Sequence, residues 1–480
     1  MANTLVAGQV RVGHLVDEVA GTPYLACTLT YESEQGALLS IPYVAGEPQF
    51  AAVESWFSNQ RPPASLLFWD DEGVIALTGL RWRGHRGLDA VLGRIDAAVV
   101  VFAKPKKLKA EYKFRKLVSN IDGLNDFARF QSIGDQLYSG RSVTITVDPK
   151  DEVTWRSIGF TYTIRAIAPW RRTLGSTFNV ASDAVIETSK YTGATVNEHV
   201  AAQWPLRDLL ILLYGQKRYW RRHRGLDDQF PTWMVSGEVQ KPGYVPILLR
   251  RTLRDAEQPE ASAPPISRPM VSLRELGARG LRRWCVLYQD PIIRRAIEPI
   301  AEVINGASRF LEPQLLMAAL GLEAMGHYRD PNRKPHARLH CQVQRCVEAT
   351  NVDWSVIGPN EGIAQAIANT NNDLKHPDRP NRPDHLQLSL ITRLSLAIMR
   401  LQVLDLLRLP DMSKGFHARG CATEVIRAFD LNGVTIDANG SLHHAIKGAL
   451  GKQVPLRSSQ VNGDATVCRG CPCWWHVKCE

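Results

Sequence analysis

The sequence predicts an α+β fold: a β-rich N-terminal domain, then an all-α helical bundle, then a short irregular C-terminal tail. Three observations carry that prediction. Short β-branched and aromatic runs crowd the first 165 residues. A proline-rich stretch follows the region around residue 250. Beyond it, six segments with helical period occupy about 140 residues.

The strands come first. Tyr24–Tyr31 and Ala37–Val44 are strand-like runs joined by the loop 32–36, and Ser65–Trp69 and Val74–Leu80 are joined in the same way by 70–73. Ala97–Ala103, Val143–Val147 and Thr154–Ile164 add further β-branched and aromatic runs. Their spacing predicts an antiparallel sheet, sandwich or open barrel. From Val196 the period changes. Val200, Trp204, Leu206, Leu209, Leu210, Leu212 and Leu213 suit a buried helix, and Phe230–Leu249 reads as extended again.

The stretch Asp255–Met270 holds Pro259, Pro264, Pro265 and Pro269 and no apolar period, so it reads as a linker. Helices are then expected at Leu273–Tyr288, Pro291–Asn305, Leu311–Tyr328, His336–Thr350, Glu361–Leu374 and Asp384–Leu409. The last has one apolar face, Leu386, Leu390, Leu394, Ala397, Leu401 and Leu404, and Pro410 stops it. The expected division is residues 1–254 for the β-rich domain, 255–270 for the linker, 271–410 for the bundle and 411–480 for the tail. In that tail only a helix near Cys421–Asp430 is expected.

Composition sets the function classes. The chain has 480 residues, 44% hydrophobic and 22% charged, with a net charge of +10. That is the balance of a globular chain of two to four domains, not of a fibre or a wholly disordered one. The cationic surplus favours a polyanionic partner. No run of 18 apolar residues predicts a transmembrane helix, and Met1–Gly21 lacks the pattern of a signal peptide, so a cytoplasmic protein without membrane attachment is expected. There is no GxxxxGK[ST] loop, no GxGxxG after a strand and no Gly-x-Ser-x-Gly elbow, which argues against nucleotide-cofactor use and a serine hydrolase.

The chemistry-bearing segment precedes the last helix of the bundle. It reads Asn369-Thr-Asn-Asn-Asp-Leu-Lys-His-Pro-Asp-Arg-Pro-Asn-Arg-Pro-Asp384. It places His376 at a helix–helix junction with Lys375, Arg379 and Arg382 close in sequence. An imidazole can take a proton from a ribose 2′-hydroxyl and return one to a leaving 5′-oxygen. A neighbouring cation can stabilise the charge gathering on phosphorus, and no metal is required. The alternative is a polar loop whose histidine only caps a helix.

Two basic stretches stand out. Residues 104–116 hold seven cations and one acid. Lys217, Arg218, Tyr219, Trp220, Arg221 and Arg222 interleave cations with two aromatic rings, the composition of an RNA-binding surface. Trp170-Arg-Arg172 is a shorter version. The alternative for each is a solvated basic face with snorkelling side chains. Among nine cysteines, Cys468, Cys471, Cys473 and Cys479, with His476, have zinc-ligand chemistry in the tail. Their spacing is tighter than a two-pair knuckle, so a structural zinc stands beside the preferred reading of a thiol-rich tail and no cofactor.

The helical half resembles a HEPN domain, a small bundle whose signature is Arg-x(4–6)-His ahead of its final helix. The whole chain resembles the ApeA-like family of bacterial anti-phage HEPN proteins. The resemblance rests on Thr28–Tyr31 through Leu38–Ile41, on Asn120–Phe127, on Phe310-Leu-Glu with Ala319–His327, and on Asn372-Asp-Leu-Lys-His376. It spans roughly residues 10 to 410. It implies a metal-independent endoribonuclease acting in abortive infection, with host RNA such as tRNA as substrate. It also implies a phage-derived trigger and a homodimer. In this reading His376 is the acid–base, Asn372 orients it or the phosphate, and Lys375 or Arg379 supplies positive charge. Glu323, four residues before His327 on one helix face, holds a basic residue or the imidazole. The chain departs from the signature, because Asn369, Thr370 and Asn371 stand where Arg is expected. That departure keeps open a catalytically inactive HEPN protein that binds RNA or a protein partner.

Overall fold

The computed structural model describes residues 3–17, 24–32, 36–138, 142–173, 177–233, 239–240, 242–258, 268–332, 337–376, 378, 382–409 and 411–444. The fold is mixed α+β, as the sequence predicts.

The first six strands are β1 (Val10–Val16), β2 (Leu25–Glu32), β3 (Gly36–Val44), β4 (Ser65–Asp70), β5 (Gly73–Arg86) and β6 (Ala90–Val101), with helix α1 (Ala51–Ser58) between β3 and β4. They pair antiparallel in the order β6-β3-β2-β1-β4-β5, and β5 pairs back onto β6, so this part of the sheet closes into a barrel. Closure removes the open edges that an isolated sheet would expose. The alternation along β2, buried at Leu25, Cys27, Leu29 and Tyr31, turns one face inward. Leu29, Ile41, Phe68, Leu77 and Ile95 form the barrel's own core. Phe57 of α1 lies against Gly93, where a Cβ would come within 2.1 Å of the ring.

Beyond β6 the sheet continues. Next come β7 (Lys113–Ile121), the short α2 (Leu124–Ala128), the hairpin β8 (Ile133–Tyr138) with β9 (Ser142–Val147), then β10 (Glu152–Ser157) and β11 (Phe160–Ile167). The small hairpin β12 (Trp170–Thr173) with β13 (Thr177–Val180) precedes the long β14 (Asp183–Thr195). After helix α3 (Val196–Tyr214) come β15 (Trp220–Leu226), the pair β16 (Thr232–Trp233) and β17 (Val239–Gln240), β18 (Val245–Leu249) and α4 (Leu253–Glu257). From the barrel outward the order is β6-β18-β15-β7-β14-β11-β10, giving a 12-stranded sheet in all.

The run Thr154–Ile164, expected as one strand, is a hairpin. Ser157 pairs with Phe160 across the two-residue turn Ile158-Gly159, whose φ angles are 53° and 74°. Both positive angles fit a type I′ turn, which matches the sheet's twist.

Helix α3 joins sheet to bundle. A capping box of Thr195 and Glu198 starts it, and Gly215 at φ 65° ends it. Pro205 sits inside it, and the Pro205 carbonyl accepts from Trp284 Nε1 at 2.6 Å. At its far end the Leu212 carbonyl accepts from Arg400 Nε at 2.8 Å. Trp284 and Arg400 lie on α5 (Leu273–Leu287) and on α10 (His385–Leu406) of the bundle. The other bundle helices are α6 (Pro291–Ile304), α7 (Leu311–Arg329), α8 (Leu339–Ala349), α9 (Asn360–Lys375) and α11 (Asp411–Leu431), followed by the hairpin β19 (Val434–Ile436) and β20 (Leu442–His444).

One buried cluster runs from Leu117 and Ile186 of the sheet through Leu209 and Leu213 of α3 to Trp284, Leu322 and Leu394 of the bundle. The expected boundary at 255–270 therefore does not coincide with a break in the core. A second buried cluster fills the barrel, while Leu67, Ala76 and Val101 of the barrel strands belong to the first cluster and Leu253 of α4 to the second. Residues 259–267 of the expected linker lie outside the described residues.

The tail is more ordered than expected over 411–444. Its helix spans Asp411–Leu431, and the Ile436 N–H donates to the Ile357 carbonyl at 2.7 Å. Gly362 of α9 makes room for the Asp437 carbonyl, which a Cβ there would meet at 2.0 Å. Cys468, Cys471, Cys473 and Cys479, and with them the zinc reading, lie outside the described residues.

Candidate functional site

The α9–α10 junction forms because Pro377 disfavours helix at the residue before it. His376 accordingly leaves the helix with φ −117° and ψ 92°, its N–H still donating to the Asn372 carbonyl. Asp384 caps the next helix, accepting from the Gln387 N–H at 2.7 Å. His376 and Lys375 are exposed and Asn372 is half-buried. The His376 ring makes no hydrogen bond to any described residue. Arg379 lies outside the described residues.

Arg382 reaches Glu312 at 3.2 Å and is 83% exposed, so much of its charge faces water. At the other end of the bundle Arg329 donates to Gln402 Oε1 at 2.6 Å and pairs with Asp405 at 2.9 Å. The two contacts make α7 and α10 run parallel. Glu323 therefore lies about 16 Å along α7 from Glu312, at 1.5 Å per residue. Glu323 is exposed, and among the described residues no hydrogen bond or ion pair joins it to His376, Lys375 or Arg382. Glu312 is the α7 carboxylate at that end. In the sequence it stands in the Phe310-Leu-Glu run.

The position five residues before His376 is Asn371. It is 1% exposed, and neither its amide nitrogen nor its amide oxygen has a hydrogen-bond partner. Thr370 beside it is buried and donates to the Ala366 carbonyl at 2.7 Å. A guanidinium at either place would enter an apolar helix interface.

The stretch 217–222 is not a stacking surface. Trp220 is 1% exposed, beneath Trp204 and His223 with ring centroids 6.1 and 5.4 Å away. Arg218 is 4% exposed and lies over the Tyr214 ring at 3.8 Å. Arg221 makes a two-pronged ion pair with Asp122. Tyr219 is half-buried beside Arg221, and only Lys217 and Arg222 are exposed. From Trp220 the stretch enters strand β15, whose alternation buries every second side chain. In the 104–116 stretch, Lys104 rests over Trp69 at 5.0 Å, and the final residues, Lys113–Lys116, open strand β7.

A buried polar cluster ties α3 to α6. Arg207 is 3.6 Å from Asp208, 3.6 Å from Asp255 and 3.7 Å from Glu302. Full burial pushes the Asp208 carboxyl up to about 7, against the pull of Tyr288 and Arg207. Two further buried groups, His199 and His223, are held down to about 4 by loss of water around the imidazolium. His199 is bonded to Thr188 and to the Phe114 carbonyl, and His223 to Ser119 and Thr252, so both act as neutral fasteners of the sheet.

Among the described residues no group of three His, Cys, Asp or Glu side chains is placed to hold a metal ion, and no helix is long and apolar enough to cross a membrane. No family model matches the chain, and neither the curated proteins nor the solved structures include a significant match.

Proposed function

We propose that the chain is a metal-independent endoribonuclease with His376 as its acid–base, working in bacterial anti-phage defence as the ApeA-like resemblance implies. One observation carries the proposal. An exposed imidazole free of ring partners stands at a helix junction between the exposed cations Lys375 and Arg382. Such an imidazole is placed to accept and release a proton.

In the reaction the ribose 2′-oxygen attacks the adjacent phosphorus and its proton passes to the imidazole. The bond from phosphorus to the 5′-oxygen breaks, and the imidazole returns a proton to that oxygen. The products are a 2′,3′-cyclic phosphate and a 5′-hydroxyl end. Lys375 or Arg382 offsets the charge on phosphorus. A homodimer would bring a second set of these groups to the same phosphate. Host RNA, with tRNA as the leading candidate, is the substrate and a phage product the trigger.

The test is incubation of wild type and His376→Ala with total RNA in EDTA, followed by mapping of product ends. Cyclic-phosphate ends with wild type and none with the variant are expected. Cutting that survives in the variant removes His376 from the mechanism. The buried Asn371 in the place of the family's Arg favours a second reading, RNA binding without cleavage. No cutting by either protein while phage defence persists would select it.

A further inference from the structure

A cavity lies on the extended sheet, and its lining does not include His376. It encloses ≈ 1100 Å³, and its lining includes Arg115, Lys116, Arg156, Lys190, Tyr191 and Phe160. Its floor follows one register row. Arg156 pairs with Thr161, Thr161 with Ser189, Ser189 with Lys116, and Lys116 with Leu226, across β10, β11, β14, β7 and β15. Residues in one row share a face. On this row that face is exposed or half-buried, while the opposite face carries Trp155, Tyr162, Thr188 and Leu117 into the core beneath α3. At about 4.8 Å per strand the row is roughly 19 Å long. That length holds on the order of five stacked bases at ~3.4 Å each.

The charges along the row are not all spent internally. Glu187 takes Lys116 at 2.9 Å, and Asp227 and Asp228 hold Arg115. Arg156 is exposed, and no described carboxylate pairs with it. Lys190 lies over the Phe160 ring at 5.3 Å, with Glu198 of α3 near enough to feel its charge but no hydrogen bond or ion pair joining them among the described residues. The lining contains no acidic residue.

Tyr191 is 98% exposed. It sits where β14 shifts register against β7 between Ser189 and Ala194. A bulge re-aims a side chain. Nothing in the fold needs this ring, which buries almost no surface at the wall of a cationic trough. Cations spaced along a groove with an unoccupied aromatic ring suit phosphates with unstacked bases. A smooth acidic protein surface would leave the ring without a role.

We propose that this trough binds a single-stranded polynucleotide, with Arg156 and Lys190 on phosphates and Tyr191 stacked on a base. The site is separate from His376 and stands whether or not that residue cuts RNA. It is tested in the full-length His376→Ala protein, so that cleavage cannot mask binding. Fluorescence anisotropy would follow labelled ten-residue oligo-U and oligo-dT between 50 and 200 mM salt. Charge reversal at Arg156 and Lys190 together is expected to weaken binding at least ~10-fold and to flatten the salt dependence by about 0.7 per lost phosphate contact. Tyr191→Ala is expected to lose about 5- to 100-fold, with Tyr191→Phe close to the parent. Arg86→Glu, an exposed change on the barrel, is the control and is expected to leave affinity unchanged. Preference for oligo-U over oligo-dT would identify the strand as RNA, and equal binding as either. The proposal falls if the parent binds neither oligonucleotide, or if Arg86→Glu weakens binding as much as the double reversal. It also falls if the double reversal has no effect, or if Tyr191→Ala leaves affinity intact. That last result would make the trough a generic acidic-partner surface.

Discussion

The Tyr288 hydroxyl donates to the Asp208 carboxylate inside the seam between α5 and α3, where Asp208 is 1% and Tyr288 4% exposed. This pair makes the helical seam sensitive to pH. With its carboxyl pushed up to about 7 from 3.8, folded Asp208 keeps its proton where the unfolded chain has lost it. Stability from this group is therefore full below about 4 and falls as pH rises to about 7. Asp208→Asn removes that dependence, while Arg207 keeps Asp255 and Glu302 at 3.6 and 3.7 Å. The variant's stability relative to wild type is expected to be greater at pH 8 than at pH 5. At ~1.4 kcal/mol per pH unit between pH 5 and about 7, the gain is at most about 3 kcal/mol. Urea denaturation at the two pH values measures it, and equal differences would show that Asp208 is ionised in the fold at both.

His199 and His223 act with the opposite sign. Their folded values, lowered to about 4, mean that the unfolded chain binds protons first as pH falls below 6.5. Acidification from pH 7 to pH 4 is expected to cost stability through both. His199→Gln and His223→Gln, singly, should each flatten the loss between pH 6.5 and pH 4. A profile unchanged in both would mean that neither ring is held neutral.

The burial of Trp220 separates composition from function. Trp220→Ala is expected to cost about 3–5 kcal/mol, the range for a large ring removed from a packed core. Lys217→Ala and Arg222→Ala, both exposed, are expected to change stability by less than about 0.5 kcal/mol. Thermal unfolding of the three variants distinguishes them. A Trp220→Ala protein as stable as wild type would restore the ring to a binding role.

How far the sequence was legible follows from which physical signal each segment carries. The helices from Leu273 to Leu406 show an apolar stripe with clear stops, so their existence and their ends within a few residues were readable. Strand β7 was hidden because Lys113, Arg115 and Lys116 read as the end of a basic patch, although Phe114 and Leu117 point into the core. Barrel closure depends on pairing between β5 and β6, which no local pattern encodes. At the candidate site the His376 junction was legible from Pro377 and the polar cluster. The partner of Arg382 was not, because Glu312 meets it only through the packing of α7 beside α10.

The turn at Ile158 tests the hairpin that the sequence concealed. A β-branched residue at φ 53° carries strain, because its branched Cβ crowds the backbone in the left-handed region. Its side chain is 45% exposed, so little packing holds it there. Ile158→Asn, giving the Asn-Gly pair favoured at type I′ turns, is expected to stabilise the protein by about 1 kcal/mol. Denaturant melts measure this. Destabilisation instead would mean that the Ile158 side chain packs more tightly than its exposure indicates.

Asn371, buried five residues before His376, tests whether that position takes part in the proposed chemistry. Its two amide atoms make no hydrogen bond among the described residues, so the side chain contributes by filling space. Asn371→Leu, of similar volume, is therefore expected to cost less than about 1 kcal/mol, since no partner is left stranded. Asn371→Arg forces a charge into a site 1% exposed, at an expected cost of about 3 kcal/mol or more. In the RNA assay, Asn371→Leu is expected to cut at the wild-type rate, because the residue fills space and does not face the phosphate. Loss of cutting by a folded Asn371→Leu protein would give Asn371 a direct part in the chemistry. A stable Asn371→Arg protein with raised activity would show that the position opens toward the junction, and that the interface tolerates the family's cation.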